Sequence, residues 1–454
     1  MNSDDTKDGS LMRVANERGL IARSAGLAKR GLESLQTLDR IVSFPSDISI
    51  GDVYLFDRNS NIVGWAEHIG IGLGAGGVRP PFHERDPEQI GVEKIASIRG
   101  DLRVSDGKFL VLIVDDESKI PLLSSLAPDA LNGLVFKCSF LHVKASDIGQ
   151  FAELKYLGLL RTRGTDICLS SLPNRKSLSY LDLSGSDLTG EGLGHLSDLS
   201  PVSYLDLTDT WVTDAGLSNL SSRPSLTHLI LRSFTITEGK WASKGLIVTD
   251  NGLSFLYNLP SLTHLVLTSL AITDDGLTYL SNLTSLSHLN LEELGITDEG
   301  LSHLSNLTSL TRLGLGCWKI TDDGLSHLSN LRSLTSLRLN KTAVTGTGLS
   351  HLCSLTSLTT LNLNWSKITD AGLPHLSNLF WLTSLNLSWS KITDAGLFCL
   401  SNLKSLSHLD LRFTEVSERG AQELKTFLPD CEILSGDIYA YYLNGVEHSF
   451  RRRE

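Results

Sequence analysis

A segment of 24 residues repeats along most of this 454-residue chain and limits the possible folds more than any other feature. Ser285 to Thr308 reads SLSHLNLEELGITDEGLSHLSNLT, and the next segment reads SLTRLGLGCWKITDDGLSHLSNLR. One such unit is too small to bury its own apolar residues, so the units must stack. The frame fits twelve units, which begin at Leu131, Leu154, Leu178, Val202, Leu226, Leu262, Leu286, Leu310, Leu334, Leu358, Leu382 and Leu406.

The hydrophobic spacing changes halfway through each unit. Leu289 and Leu291 alternate with a polar residue, as in a strand with one buried face, whereas Leu301, Leu304 and Leu307 recur every third residue, as on a helix. Each unit therefore predicts a strand, a turn and a helix. The strands pair at about 4.8 Å in a parallel sheet. Because helices need more room than strands, the sheet lines the concave side of the stack.

Two further expectations follow from this pattern. Strand leucines such as Leu313 and Leu337 should be buried, whereas Asn290 and Asn362 should face solvent. A Thr-Asp-x-Gly-Leu motif marks the start of each helix, and aspartate is a favoured N-cap because its carboxylate accepts from the free amides of the first turn. We therefore expect N-caps at Asp274, Asp298, Asp322, Asp370 and Asp394.

The pattern LxxLxL followed by ITDxGLxxLxxL, over roughly Leu131 to Leu434, resembles the leucine-rich-repeat family. Its ITDxGL element is most similar to the cysteine-containing subclass found in F-box proteins and many bacterial repeat proteins. Here Ser, Thr or a large apolar residue mostly replaces the subclass cysteine, and the unit is shorter. The resemblance implies an α/β, right-handed solenoid (horseshoe) with a concave parallel β-sheet and convex helices, plus a small α+β N-terminal capping region.

The repeat divides the chain into four predicted segments. Residues 1–43 form an N-terminal helical segment, residues 44–107 a β-containing cap, residues 108–434 the solenoid and residues 435–454 a poorly ordered tail.

Individual elements are also predicted within these segments. Leu11 to Arg40 has a helical pattern, and Asp52 to Glu67 has the pattern of a hairpin. Leu110 to Val114 is expected as an irregular first rung, and Cys431 to Leu434 as a closing strand. The 36-residue unit from Ser225 to Pro260 should carry a protruding loop; the extra residues lie within Phe234 to Val248.

The composition excludes several classes of function. A formal net charge of -11 argues against a general nucleic-acid binder, because phosphates are held by clustered Lys and Arg. The six cysteines include no CxxC pair, so we predict no zinc site, disulfide framework or cofactor. No apolar signal core opens the sequence, and no stretch approaches the ~20 apolar residues of a membrane span. We expect a cytoplasmic protein; export without a Sec-type signal stays open.

Glycines and histidines invite chemical interpretations. Gly72, Gly74 and Gly77 have the GxGxxG spacing, but no helix start follows them, so we expect a flexible turn. One histidine set recurs on the helical side: His195, His303, His327, His351 and His375. Another set faces the concave sheet: His228, His264, His288 and His408. Metal binding and acid–base chemistry are the alternatives to ordinary solvated side chains, which we favour because duplication alone produces such columns.

Aromatic residues occupy one repeat position, two residues after the last strand leucine, in three successive units: Trp365, Trp389 and Phe413. At about 5 Å between rungs these rings would build one continuous apolar face. Exposed stacking and structural capping of the loop fit this pattern equally well. Trp318 and Phe234 fall one position later, and for them we expect core packing.

We predict a scaffold that binds another protein through the concave face and the nearby loops, with no catalytic residue and no metal ligand. Aromatic residues and arginines inside a polar rim carry most of the binding energy of an interface. The predicted partner-binding residues are Trp365, Trp389, Phe413, Asn364, Arg338, Lys341, Arg412, Glu292, Glu293 and Arg312.

Two alternatives stay open at this point. The first is an adaptor or effector, similar to substrate-recognising ubiquitin-ligase subunits, whose N-terminal region recruits an enzyme; residues 11–43 show no clear F-box pattern. The second is an enzyme with its chemistry in the N-terminal region, although no nucleophile elbow, HExxH or P-loop occurs. We expect a protein partner, no nucleic acid and no membrane span.

Overall fold

The computed structural model describes the repeats and parts of the N-terminal region. The described residues are 40–44, 52–57, 92–95, 100–104, 108–137, 142–436 without 152, 173–175, 200, 222 and 234–244, then 438–443 and 446–451. Residues 11–39 of the predicted helix, residues 58–67 of the predicted hairpin, the glycines 72, 74 and 77, and residues 234–244 of the predicted loop lie outside these residues.

Each of the twelve units contributes one strand, as the sequence predicts, and further strands lie before and after the units. The strands are β1 Arg40–Phe44, β2 Asp52–Asp57, β3 Val92–Ile95, β4 Gly100–Val104, β5 Lys108–Val114, β6 Gly133–Phe136, β7 Tyr156–Leu159, β8 Tyr180–Asp182, β9 Tyr204–Asp206, β10 His228–Arg232, β11 His264–Thr268, β12 His288–Asn290, β13 Arg312–Gly314, β14 Ser336–Arg338, β15 Thr360–Asn362, β16 Ser384–Asn386, β17 His408–Arg412, β18 Glu432–Gly436, β19 Ile438–Leu443 and β20 Val446–Arg451.

A helical segment follows most of these strands. The α-helices are α1 Ala145–Gly149, α2 Thr165–Ser171, α3 Gly190–Gly194, α4 Asp214–Leu217, α5 Asp250–Leu253, α6 Asp274–Leu277, α7 Asp298–Leu301, α8 Asp322–Leu325, α9 Asp394–Leu397 and α10 Glu418–Phe427. Segments of 3-10 helix are Glu117–Ser125, His195–Asp198, Ser218–Leu220, Ser254–Asn258, Thr278–Leu280, Ser302–Leu304, Ser326–Leu328, Gly348–Ser354, Asp370–Leu376 and Phe398–Leu400. The three-residue leucine spacing suits the 3-10 form, which has three residues per turn.

Strands β5 to β18 pair in parallel, each with the next along the chain, in an open sheet. The register is constant, so equivalent residues of successive units face each other, as in Leu289, Leu313 and Leu337. The predicted first rung and closing strand are β5 and β18. The sequence prediction of a parallel repeat sheet with helices on its other side is thus confirmed.

The leucines of all units form one continuous core between the sheet and the helical segments. Leu313 and Leu337 are buried in it, as predicted. Since the strand and the leucines of each unit pack against the adjacent units, stability is distributed along the array.

At the N-terminal end, the prediction that the two apolar runs of Asp52 to Glu67 pair with each other is wrong. The first run is a strand, β2, but β2 pairs antiparallel with β3 on one side and with β5 on the other. This arrangement covers the edge of the first rung, which a local hairpin would leave unpaired. Strands β1 and β4 form a separate antiparallel pair.

The motif aspartates are not N-caps, contrary to the prediction. The threonine before each aspartate takes that position, and the aspartate is the first helical residue. Asp274 instead reaches the next unit, where it accepts hydrogen bonds from the backbone N–H of Thr297 at 2.7 Å and from its hydroxyl at 2.6 Å. The Thr297 oxygen in turn accepts from the N–H of Glu299. The carboxylate therefore joins two units, and we name this contact the Asp–Thr clamp.

The clamp explains the glycine of the motif. A Cβ added at Gly300 would collide with the carboxylate of Asp274, and one at Gly324 would collide with that of Asp298. The clamp also spans the 36-residue unit, because Asp214 accepts from the N–H of Thr249 at 2.8 Å. The long insertion thus leaves the stacking of the units intact.

The C-terminal tail contains a hairpin, where the sequence was expected to be irregular. Strands β19 and β20 pair antiparallel, with Leu443 opposite Val446. The sequence signal for this is Asn444-Gly445 between two β-prone runs, a pair that favours two-residue hairpin loops.

Candidate functional site

Because the strands are in register, each position of the unit forms a column of side chains across the open face of the sheet. The first strand position carries an aromatic column in successive units, here named the Tyr–His ladder: Tyr156, Tyr180, Tyr204, His228, His264 and His288. Its closest ring pairs are Tyr180 with Tyr204, at 3.7 Å between centroids, and His264 with each neighbouring histidine, at 3.9 Å. The histidines therefore face the sheet surface, as predicted, but they stack instead of standing apart in solvent.

Hydrogen bonds select one tautomer for these histidines. The hydroxyl of Thr263 donates its proton to the carbonyl of Thr227 at 3.1 Å and also lies 2.9 Å from Nδ1 of His264. A hydroxyl has one proton, so Nδ1 of His264 must be the donor of the second bond. Burial, then the charge of Arg312, lowers the pKa of His264. The ladder is consequently neutral near pH 7.

Two carboxyl groups lie beside the tyrosines on adjacent rungs. Asp182 and Asp206 are buried, and each accepts a hydrogen bond from the backbone N–H two residues later, at Ser184 and Thr208. Burial raises the pKa of both carboxyls, and repulsion from Asp182 raises that of Asp206 further. Buried and hydrogen-bonded in this way, the pair contributes to the packing of the open face.

The predicted charged residues of the middle rungs are already paired with one another. Rung β13 carries Gly314, over which the Arg338 guanidinium lies. Arg338 Nε is 3.1 Å from Glu292 Oε1, and Lys341 Nζ is 3.4 Å from Glu293 Oε1. The absence of a side chain on Gly314 lets Arg338 bridge two rungs, so these four charges form internal pairs.

The other predicted polar residues differ in accessibility. Arg412 makes a two-pronged contact with Asp410, at 2.9 Å from Nε and 2.7 Å from Nη2. Arg312 is exposed at the end of the Tyr–His ladder, and Asn364 is half-buried next to Trp365. The structure thus places Asn364 beside the aromatic row and Arg312 two rungs before it.

The three predicted aromatic residues form one stack at the edge where the strands end. The ring centroids of Trp365 and Trp389 are 4.2 Å apart, and those of Trp389 and Phe413 are 4.4 Å apart. Trp365 is 52% exposed, whereas Trp389 and Phe413 are half-buried. This aromatic row is continuous, as the spacing predicts, and its N-terminal end is open to solvent.

The aromatic row has a strained backbone, which sequence reasoning missed. Trp365, Trp389 and Phe413 have φ values of +56°, +58° and +58°, a region that bulky residues rarely adopt. The same column contains other residues with positive φ: Arg161, Gly185, Asp209, Ser269, Glu293 and Lys341. Each strained residue of the row donates its N–H to a carbonyl of the next unit, as Trp365 does to Ser388 at 3.0 Å. The strain is therefore held by a ladder of backbone hydrogen bonds.

Trp318 is not packed in the core, contrary to the prediction, and is 70% exposed. In this unit the preceding Cys317 turns inward and donates from Sγ to the carbonyl of Leu291. A buried Cys317 leaves the next residue outside, where Lys319 Nζ lies 5.3 Å from the Trp318 ring centroid.

Asn362 does not face solvent, contrary to the prediction, and is only 6% exposed. Its Oδ1 accepts from the N–H of Asn364 at 3.0 Å, and Asn290 makes the same bond to Glu292. An amide or carboxylate oxygen at this position accepts a hydrogen bond from a backbone N–H at the end of the strand. The asparagine is therefore structural.

The histidines of the helical side remain separate side chains. His303, His327 and His375 are half-buried and His351 is exposed. Across the part of the chain that the structure describes, no group of three His, Cys, Asp or Glu residues is placed to hold a metal ion. None of the helices described there has the length and apolar character needed to cross a membrane.

A row of lysines, also missed, lies two residues after the aromatic position. Lys319, Lys367 and Lys391 are exposed, and each precedes Ile-Thr-Asp in the sequence. The recurrence of Lys-Ile-Thr-Asp in three units was the signal available for finding them.

The fold and its columns define an open repeat solenoid with a parallel sheet on one side. A model of the family described as Leucine Rich repeat matches residues 176–197, 200–221, 354–373 and 378–401. These matches confirm the resemblance to the leucine-rich-repeat family that the motifs imply. No curated protein matches the sequence.

Several solved structures are similar to the chain. An internalin (InlF) from Listeria monocytogenes is 23% identical, with a TM-score of 0.48, over 71% of this chain and 89% of the internalin. Internalin C2 from the same organism is 26% identical, with a TM-score of 0.37, over 49% and 83% respectively. A leucine-rich-repeat protein of Leptospira interrogans is 17% identical, with a TM-score of 0.43, over 71% and 88%.

Proposed function

We propose that the chain is a scaffold that binds another protein, and that the partner contacts the aromatic row of Trp365, Trp389 and Phe413. Leucine-rich-repeat proteins are generally protein-interaction scaffolds and typically have no enzymatic activity.

The observation that carries this proposal is the partly exposed stack of three large aromatic rings in successive units, at a column position where the backbone has positive φ. Such a backbone costs on the order of 1 to 3 kcal/mol at each non-glycine residue, and strain of this kind clusters at functional sites. Glycine, found at this position in Gly185, would avoid the cost. Loop capping alone does not require rings, since Ser269 and Glu293 occupy the same position.

Neighbouring polar groups complete the proposed interface. Asn364 lies beside Trp365, Arg412 precedes Phe413, and Lys341 occupies the row position one unit earlier. Arg338, Glu292, Glu293 and Arg312 extend the polar surface towards the middle rungs. Because their charges are mostly paired internally, we assign them to orientation and the aromatic row to affinity.

The test uses Trp365→Ala and Trp389→Ala, with Trp381→Ala as a matched control. Trp381 is an exposed tryptophan outside the row. A partner captured with the full chain and then purified would be titrated against each variant. We expect the row variants to weaken binding by about 2 kcal/mol or more, with an unchanged melting temperature. Unchanged affinity with a lowered melting temperature would show that the row is packing.

A further inference from the structure

The row of lysines occupies one column of the turn between strand and helix. The backbone N–H of Lys367 donates to the carbonyl of Val344, and that of Lys391 donates to the carbonyl of Ile368, both at 3.0 Å. Lys319 holds the equivalent position two units before Lys367. The position of the column is therefore fixed by backbone hydrogen bonds.

The lysines are not neutralised by the protein. Within the described residues, Lys319, Lys367 and Lys391 form no ion pair with a carboxylate. The aspartates three residues later are engaged elsewhere, since Asp370 accepts from Thr393 and Asp394 from Ser417. Three unpaired ammonium groups thus stand along one edge of a chain with a net charge of -11.

The basic character is local. The four units before Lys319 have only uncharged residues in this column, namely Trp211, Ile247, Ala271 and Gly295. Earlier units carry Arg163 and Asp187 there, Ala343 lies between Lys319 and Lys367, and Glu415 follows Lys391. Each of the three lysines follows a large aromatic residue, since Trp318 precedes Lys319 and both Trp365 and Trp389 lie two residues before a lysine; Phe413 is followed by Glu415 instead. Positive charge and apolar surface therefore coincide on one edge of the C-terminal third.

This combination also occurs in proteins that bind single-stranded nucleic acid, where bases stack on separate aromatic rings. Here the rings of Trp365, Trp389 and Phe413 are stacked on one another at 4.2 and 4.4 Å, which leaves no space for an inserted base. Their edges and the outer face of Trp365 stay available to apolar side chains. The geometry favours a polypeptide over a nucleic acid.

We propose that the edge formed by the aromatic row and by Lys319, Lys367 and Lys391 binds an extended acidic segment of the partner protein. Carboxylates of the segment meet the ammonium groups, and apolar side chains between them pack on the aromatic row. This inference rests on the proposed function and names the chemistry of the partner.

The experiment measures binding of a fluorescent Glu–Tyr copolymer to the full chain by anisotropy, in 50 and 300 mM salt. One variant changes Lys319, Lys367 and Lys391 to Glu, and a second changes the same residues to Gln. The matched control changes Lys137, Lys144 and Lys176, which are exposed lysines near the N-terminal end, to Glu. A Lys–Tyr copolymer and oligothymidylate serve as alternative probes.

We expect the Glu–Tyr copolymer to bind the native chain and to bind the Lys→Glu variant ~10-fold or more weakly, while the control triple binds as the native chain does. The Lys→Gln variant should fall between them and lose most of the salt dependence. Equal losses in the edge and control triples would overturn the proposal, because binding would then follow net charge. Tighter binding of oligothymidylate that depends on the same lysines would also overturn it.

Trp365→Ala separates this inference from the proposed function. If Trp365→Ala weakens the captured partner and the lysine variants do not, the aromatic row binds a partner without an acidic segment, and the inference fails alone. If the lysine variants weaken the partner and Trp365→Ala does not, the aromatic hot spot fails. Melting temperatures of all variants, expected to match the native value, exclude loss of fold as the cause.

Discussion

The open face of the sheet is used differently in its two halves, although both halves share one backbone and one leucine core. Between β7 and β12 the face is closed by stacked rings and two buried carboxyl groups. From β13 to β17 it carries small or uncharged polar residues (Gly314, Ser336, Thr360, Asn362, Ser384 and Asn386) together with Arg312, Arg338, His408 and Asp410, and its large aromatic residues lie at the edge of the sheet. The N-terminal half thus uses its face for packing, whereas the C-terminal half leaves accessible surface.

This difference shows that exposure in a repeat array is decided by neighbours in the same column. Tyr180 is buried because Tyr156 and Tyr204 cover both its faces. Trp365 is exposed because Lys341, in the preceding unit, turns to Glu293. The same kind of aromatic side chain is therefore structural in one half and accessible in the other.

The largest expected effect is on Tyr180→Ala. Removing the middle ring of three should cost about 3 to 5 kcal/mol of unfolding free energy, as for other buried aromatics. Trp365→Ala should cost less than about 1 kcal/mol, because half of its surface is already exposed. Urea unfolding of both variants is the measurement. Similar losses would remove the contrast between the halves.

A second prediction concerns the C-terminal half. Asn362→Ala should cost about 1 to 3 kcal/mol, because it leaves the N–H of Asn364 without its acceptor. Asn362→Asp should be much milder, since Asp410 and Asp206 make the same bond in other units. A silent Asn362→Ala in thermal unfolding would show that the turn forms without this bond.

A third prediction uses the carboxyl pair of the N-terminal half. Because the pKa of Asp206 is raised in the folded state, the folded chain holds a proton that the unfolded chain releases above about pH 4. The contribution of this group to stability is therefore present at low pH and is lost as pH rises towards its folded pKa. Asp206→Asn should raise stability at pH 8 by on the order of 1 kcal/mol and flatten the profile of urea midpoint against pH.

The smallest expected effect belongs to the histidines of the ladder. Burial lowers the pKa of His288 to about 4, so the unfolded chain binds more protons between pH 6.5 and 4. Stability should fall as pH drops through that window, and His288→Asn should remove a few tenths of a kcal/mol of this loss. An equal acid response of His288→Asn and the native chain would contradict the assignment.

The sequence predicts the parts of this molecule that depend on position within the unit. Leucine spacing is enough for the strands, the buried core and the phase that stacks Trp365 on Trp389. It fails where a side chain contacts the next unit, as with the clamp aspartate Asp274, because a motif read along one unit does not show what lies 23 residues later. The prediction also fails where a neighbouring residue takes the buried position, as Cys317 does in place of Trp318.

Backbone strain and charge pairing could not be predicted from the sequence for the same reason. Positive φ at Trp389 follows from hydrogen bonds to the adjacent unit, and the pairing of Arg338 with Glu292 depends on Gly314 between them. The strain and the charge pairing both depend on equivalent positions in neighbouring units, not on one unit alone. The row of lysines, by contrast, could have been predicted from the sequence, since Lys-Ile-Thr-Asp recurs at equivalent positions of three units.

The Asp–Thr clamp gives the array a direction. Each carboxylate serves the unit that follows it along the chain, as Asp298 does for Thr321. During synthesis a completed unit therefore presents an acceptor to the next one as it leaves the ribosome, and growth from the N-terminus meets a prepared surface at every step. The two ends are consequently not equivalent for engineering. Removing units from the C-terminus leaves a solvated carboxylate, whereas removing them from the N-terminus takes the acceptor away from the helix start of the new first unit.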